Sequence, residues 1–521
     1  MIQSQALSTL KTGANVFLTG EPGSGKTHTI NQYVTYLRSR GIEPAITAST
    51  GIAATHIGGM TIHSWSGIGI KTKLDKRDLN RIVSNKYVTK RVLDAKVLII
   101  EEVSMLTSDT LFMVDTVCRK IKQNSESFGG MQVIFAGDFF QLPPVVKRET
   151  EENAQTALIE TPLARFAFDS PAWTEANPIV CYLTEQHRQD DNDLLAVLSA
   201  IRQGTFNANH LNHIKTRKIE YDAVPDTVPK LFSHNTNVDR INDAVLAKLP
   251  GESKVFTMSS QGPDALVAML KKGCLSPEAL YLKIGAAVMF TKNNPKEGFV
   301  NGTLGVVEGF NKTNSYPIIK IRNVRLIEVK PMEWTLEENG KVRALISQLP
   351  LRLAWAITVH KSQGMNLDSA VMDLSHVFEF GQGYVALSRV RRFSGLYMLG
   401  WNERAFQVHP EIVAKDVEFH TQSGQAALEF GSMAESNTKA VHDRFIRECG
   451  GKINPGKSSG GTGFDKIREE PPNAYLPWDK TQDEKLRKFF AKGSSVTGLA
   501  KTFGRKSGAI RSRLTKLGLL P

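Results

Sequence analysis

The octapeptide Gly20-Glu-Pro-Gly-Ser-Gly-Lys-Thr27 constrains this 521-residue chain more than any other stretch. It follows a short apolar run, Asn15-Val-Phe-Leu-Thr19, and precedes a segment, residues 29–38, that reads as a helix. Strand, glycine-rich loop and helix in that order let several backbone N–H groups converge on one phosphate chain, and the helix adds its positive end. Gly20, Pro22, Gly23, Ser24 and Gly25 form the loop. Lys26 supplies a point charge for the terminal phosphates, and the Thr27 hydroxyl is placed to ligate Mg²⁺. The chain is therefore expected to contain a parallel α/β domain that binds a nucleoside triphosphate.

The net charge of +13 and a sequence pI near 9.4 favour a polyanionic partner. The four cysteines, Cys118, Cys181, Cys274 and Cys449, are far apart and include no CxxC pair. They read as buried or free thiols of a reducing compartment, neither a metal site nor a disulfide framework. No apolar run is long enough to span a bilayer, and Met1-Ile-Gln-Ser lacks the pattern of a signal peptide. A cytoplasmic protein without membrane contact is expected.

Residues 3–12 read as a short helix or turn, in which Gln3 alone resembles an exposed terminal glutamine. Pro44-Ala-Ile-Thr-Ala-Ser-Thr50 is a second strand. Thr61-Ile-His63-Ser64-Trp65 offers hydroxyls and flat rings that either line a single nucleic-acid strand or pack as a surface loop. Val97-Leu-Ile-Ile100 is a buried parallel strand that delivers Glu101 and Glu102 to its C-terminal end, where such sheets present catalytic groups. One carboxylate would hold the Mg²⁺ shell and the other would polarise water. Met131-Gln-Val-Ile-Phe-Ala136 is the next strand. It is followed by Asp138, a possible helix cap, and by Gln141, a candidate γ-phosphate sensor. A second α/β unit is expected from near residue 180, carrying Arg188 and Arg389 as phosphate-binding candidates. Within it, residues 305–350 have the short-strand look of a small β-barrel.

In their order these blocks resemble the superfamily 1B DNA helicases of the Pif1 type. The matching stretches are residues 15–27, 50–54, 61–64, 98–105, 137–144, 183–189, 300–305, 353–364 and 381–390, with a signature-like segment through 104–132. The resemblance covers residues 1 to about 405. It implies two RecA-like lobes: 1–180 with a small insertion at about 56–92, and 181–415 with an SH3-like insertion at about 305–350. It implies ATP and Mg²⁺ as cofactors, with Gln3 reading adenine and Lys26 and Thr27 on the phosphates and metal. Glu101 then serves the metal, Glu102 the attacking water and Gln141 the γ-phosphate, while Arg188 and Arg389 act as arginine fingers. Thr50, His63, Asn301, His360 and Lys361 match positions along the single-strand track. One departure stands out: the family usually has Asp-Glu where this chain has Glu101-Glu102.

Residues 416–475 read as a flexible linker, and 476–521 as a three-helix, helix-turn-helix-like module. The stretch 477–521 holds eleven Lys and Arg against three acids, +8 of the total +13. Lys506, Arg511 and Arg513 are its outward-facing DNA candidates. The expected function is an ATP-dependent 5′→3′ DNA helicase, monomeric in the free state, that acts on single-stranded and forked or structured DNA. The alternative is a DNA-tethered ATPase switch that does not unwind.

Overall fold

The computed structural model describes residues 1–56, 59–69, 71–144, 166–185, 191–220, 223, 228–232, 238–294, 297–321, 325–338, 341–359, 362, 365–431, 433–453, 480–491, 495–503, 510–511, 513–514, 517 and 519. They fall into two compact units, Met1–Asn454 and Pro455–Pro521.

The first lobe is a six-stranded parallel sheet. Its strands are β1 (Val16–Gly20), β2 (Ala45–Ala48), β3 (Met60–Thr61), β4 (Val97–Glu101), β5 (Gln132–Ala136) and β6 (Ile179–Leu183), in the order β3-β2-β4-β5-β1-β6. β1, β4 and β5 are buried along their whole length, as their unbroken apolar composition requires of strands covered on both faces. Alternate residues feed opposite faces. Val16, Leu18, Ile99 and Ile134 meet α1 (Gln3–Leu10) and α2 (Lys26–Arg38), while Phe17, Leu98, Ile100 and Phe135 face α7 (Ser108–Lys122). Burying each of those phenylalanines contributes roughly 1.5–3 kcal/mol. Between β2 and β4 run α3 (Gly51–His56), α4 (Ile62–Ser66), α5 (Lys76–Val83) and α6 (Lys86–Asp94); α8 (Pro171–Ala176) precedes β6.

Two expected boundaries move. β6 pairs with β1, from Val16↔Ile179 to Gly20↔Leu183, so the first lobe runs past residue 180. The insertion expected at 56–92 shrinks, because β3 is an edge of the main sheet and α4 packs into its core through Trp65.

The second lobe opens with α9 (Asn192–Arg202), α10 (Ala208–Lys215), β7 (Lys230–Phe232) and α11 (Val238–Lys248). The chain then leaves it for a β-rich insertion that begins at Lys254, not near 305. The insertion contains β8 (Lys254–Thr257), β9 (Ser259–Gln261), α12 (Asp264–Gly273), β10 (Ala279–Leu282), β11 (Ala287–Phe290), β12 (Leu304–Phe310), β13 (Pro317–Ile321), β14 (Leu326–Glu328), β15 (Met332–Glu338), β16 (Lys341–Gln348) and β17 (Leu351–Leu353). Five strands form an antiparallel sheet, β14-β13-β12-β11-β17, around Val288, Phe290, Val307 and Ile319. The β15-β16 hairpin joins β9 and packs on α12. β18 (Ala356–Thr358), β19 (Ala370–Leu374), α13 (Gln382–Leu387) and β20 (Leu396–Trp401) complete the second lobe, whose parallel sheet has the order β18-β7-β19-β20.

The expected linker at 416–475 is corrected over its described part. α14 (Pro410–Gly431) and α15 (Glu435–Glu448) are helices packed on the first lobe. Phe419 enters the face of Phe17, and Phe445 and Ile446 enter the opposite face. α14 also covers the free edge of β6, where the Tyr182 N–H donates to Ser423 Oγ at 2.9 Å. Residues 454–475 lie outside the described residues.

In the second unit, α16 (Lys480–Ala491) and α17 (Val496–Thr502) bury Leu486 and Leu499 with Ile510 and Leu514. Ile510 and Leu514, four residues apart in the chain, thus belong to the core of this module.

Candidate nucleotide site and nucleic-acid track

The loop between β1 and α2 turns through Gly25, whose φ of +89° lies in the left-handed region. A Cβ there would collide with the side chain of Gln3, and Gln3 Nε2 donates to Ser24 O at 3.1 Å. Gln3 is thereby fixed against the loop it was expected to serve. Lys26 Nζ donates to the carbonyls of Gly20 at 2.7 Å and Glu21 at 3.1 Å, which holds the ammonium at the loop.

β4 ends at Glu101, which is buried, and Glu102 follows in a left-handed conformation at φ 54°, ψ 44°. A non-glycine residue held there is strained, as residues at functional sites often are. Burial, with the neighbouring Glu102 charge, pushes the Glu101 carboxyl up to about 8, against the pull of Lys26. Glu101 Oε1 and Ser24 Oγ are buried without a hydrogen-bond partner. An unanswered carboxylate oxygen near the loop lysine fits a divalent cation. Among the described residues no group of three or more His, Cys, Asp or Glu could hold a metal.

Gln141 is buried, and its Nε2 lies 3.4 Å from Asp138 Oδ2. The second lobe reaches this loop through Gly381, the N-cap of α13. A Cβ on Gly381 would stand 2.5 Å from Phe140 O and 2.7 Å from Gln141 O. Arg389, just beyond α13, is buried. It donates to Val385 O at 2.8 Å, Ser388 Oγ at 2.7 Å and Ser362 O at 3.4 Å. Burial lowers its pKa to about 10, opposed chiefly by the charge of Glu102. Lys26, Glu101, Glu102 and Arg389 therefore share one electrostatic neighbourhood drawn from both lobes. Arg188, His360 and Lys361 lie outside the described residues.

The track residues have mixed settings. Thr50 Oγ1 accepts from the Ala53 N–H at 3.2 Å, close to where α3 packs on α12 of the insertion. His63 is partly buried, which lowers its pKa from 6.5. Thr61 caps α4 by accepting from Ser64 N–H at 3.2 Å, and Trp65 is buried, so of the two settings open to this stretch its indole takes neither and is a core residue. The Asn301 N–H donates to Asn293 Oδ1 at 2.7 Å, and its turn abuts the backbone at Asn366. In the second unit Arg511 is exposed, but Arg513 is not the outward cation expected. It pairs bidentately with Asp483 at 2.7 and 2.5 Å. Lys506 lies outside the described residues.

Arg202, at the end of α9, belongs to none of the sequence motifs. It is buried and pairs with Asp138 at 2.8 Å. A lone arginine at a helix C-terminus reads as a solvated charge complementing the dipole. The signal was its place on the apolar face: Leu194, Leu198 and Arg202 recur every four residues, and all are buried. Asp138 likewise proves to be the partner of this arginine.

Residues 2–219 match the model of the PIF1-like helicases, and residues 266–310 that of the DNA helicase Pif1 2B domain. The ATP-dependent DNA helicase Pif1 of Psychrobacter sp. (strain PRwf-1) is 40% identical over 510 residues, covering 87% of this chain and 76% of that protein. The ATP-dependent DNA helicase Pif1 of Bdellovibrio bacteriovorus is 34% identical over 412 residues, 79% of this chain and 90% of that protein. Among solved structures, Bacteroides sp. Pif1 in complex with ADP-AlF4 superposes with a TM-score of 0.69 at 27% identity, covering 81% of this chain and 98% of that one. Pif1 helicase from Candida albicans gives 0.61 at 32%, covering 80% and 98%. With two parallel-sheet lobes meeting at a phosphate loop and relatives of this extent, the chain belongs to the Pif1 family of helicases.

Proposed function

We propose that this protein is an ATP-dependent DNA helicase that moves 5′→3′ along single-stranded DNA and unwinds duplex. The observation that carries this is the two-lobe site. The phosphate loop and Glu101-Glu102 come from one lobe, and Arg389 comes from the other, close enough to feel the Glu102 charge. A site divided in this way links the state of the nucleotide to the separation of the lobes. Relatives solved with single-stranded DNA and at forked duplex DNA support those two partners.

Within that reading Gln3 meets the adenine edge, and Lys26 and the loop N–H groups hold the phosphates. Glu102 orients and deprotonates the attacking water, and Gln141 senses the γ-phosphate. Arg389 and Arg188 neutralise charge as it develops on the transferring phosphoryl group. Thr27 and Glu101 would hold Mg²⁺, which when bound offsets phosphate charge. Thr50, His63, Asn301, His360 and Lys361 line the strand. The second unit adds a duplex or structured-DNA contact through Lys506 and Arg511.

Strand displacement on forks bearing a single 5′ or 3′ tail tests the reading. Unwinding is expected from the 5′ tail alone, with DNA-stimulated hydrolysis, and both should be lost in Lys26→Ala. Unwinding only from the 3′ tail, or hydrolysis indifferent to DNA, would refute it.

A further inference from the structure

α9 bridges more of the motor than its sequence suggests. At its start the Asp191 carboxylate accepts from the Phe393 N–H of the second lobe at 2.8 Å. One turn before its end, Ser199 Oγ lies 3.3 Å from Glu21 Oε1 of the phosphate loop. At its end stands Arg202, whose guanidinium is shared among four elements. Nη1 donates to Asp138 Oδ1 at 2.8 Å and lies 3.2 Å from the Tyr384 hydroxyl on α13. Nε and Nη2 reach the Tyr182 hydroxyl on β6 at 3.0 and 2.7 Å. Nη2 also faces Asp416 of α14 at 3.5 Å, and the guanidinium lies over the Phe140 ring at 3.9 Å. Asp138 in turn accepts from the Phe140 N–H at 3.2 Å and faces the Gln141 amide.

We propose that Arg202 is a positioning residue for hydrolysis: by gripping Asp138 between Tyr182 of the first lobe and Tyr384 of the second, it sets the loop that carries Gln141. The inference rests on the ATPase reading above and adds a residue that touches no substrate. Three features carry it. The planar guanidinium offers its donors in a fixed fork, so several acceptors are held in one geometry, which a lysine cannot do. The group is buried, so its ion pair is not weakened by solvent. Its partners lie on both sides of the lobe interface, and Arg389 follows on the same chain segment as Tyr384, beyond α13. The sensor and this finger are therefore tied to a common strut, and a displacement of either lobe moves Asp138 and with it Gln141. A structural ion pair would need only one acceptor. Here the same cation meets the sensor loop and sheet edge of the first lobe, α13 of the second lobe and the C-terminal helix α14.

Removing the cation strands Asp138 in the interior, so the test uses two gentler variants of the full chain, Arg202→Lys and Tyr384→Phe. DNA-stimulated turnover and binding of ADP and of ADP with aluminium fluoride are measured for each. In Arg202→Lys, kcat should fall about 10- to 100-fold, with the KM for ATP and the affinity for ADP within about 3-fold of wild type. The preference for the aluminium fluoride complex over ADP should fall with kcat, because that preference reports the geometry of the transition state. Tyr384→Phe should lower kcat by about 3- to 10-fold in the same pattern. Wild-type turnover in both variants would overturn the proposal. So would an ADP affinity that falls as far as kcat, which would mark Arg202 as a structural residue only. A wild-type protein whose hydrolysis ignores DNA would overturn the underlying function instead.

Discussion

Glu101 is where this motor departs from the Asp-Glu of its family, and its setting explains what the extra methylene does. The carboxyl is buried, has an oxygen with no partner and is pushed up to about 8, so near neutral pH it holds its proton unless a cation displaces it. Shortening it to Asp withdraws the carboxylate and suits the tighter octahedral geometry of Mg²⁺. Glu101→Asp is expected to lower the Mg²⁺ concentration for half-maximal hydrolysis, or to raise kcat, by about 2- to 10-fold; a titration unchanged in both would sink the idea. His63 supplies the pH dependence. Burial holds its folded value below 6.5, so as pH falls the unfolded chain takes up the proton first. Its contribution to stability is present in full above 6.5 and is lost as pH drops toward the folded value. His63→Gln should therefore lose less stability than wild type between about pH 7.5 and pH 5.5 in urea unfolding, and parallel losses would contradict this. At this scale the sequence was most legible where chemistry and spacing coincide, as in Gly25, Lys26 and Glu102. It was least legible at Arg202, whose meaning depends on Asp138, distant in the chain.

At the scale of elements, the regular strands were readable and the C-terminal helices were not, for a physical reason. β1, β4 and β5 are continuous apolar runs, the pattern of a strand buried on both faces. α14 spans 22 residues yet buries only Ile412, Phe419, Ser423 and Ala426. Its contact stripe is sparse, while Val417 and Leu428 point to solvent and blur the period. The start of the insertion is hard to read in the sequence because β8 to β11 are short and flank a helix, whereas the turn-rich part that follows reads plainly as β. The packing of α14 predicts a cost. Phe419 is buried against Phe17, with ring centroids 5.0 Å apart, and lies 6.2 Å from Phe139. Phe419→Ala should destabilise the first unit by about 3–5 kcal/mol, measured by urea unfolding. A loose linker would instead tolerate the change within about 0.5 kcal/mol, the range of surface substitutions.

Across the whole molecule, charge and motor separate. The stretch 477–521 carries +8 of the net +13, although it is a small part of the chain. It also has a hydrophobic core of its own, formed by Leu486, Leu499, Ile510 and Leu514. The motor lies wholly in the other unit, Met1–Asn454. The module's cations are not equivalent, however. Arg513 is neutralised by Asp483, so it orients the module's helices and is a poor phosphate contact. Arg511 is exposed and available. Each phosphate neutralised adds about 0.9 to the slope of log affinity against log salt on duplex DNA. Deleting residues 466–521 should therefore weaken binding to a duplex or fork and flatten that slope by about 2–4, while DNA-stimulated hydrolysis on single strands persists. Arg511→Ala alone should remove about one phosphate's worth of slope, and Arg513→Ala should act mainly through the melting of the module. An unchanged slope on deletion would show that the basic tail serves another partner, leaving the motor to grip DNA by itself.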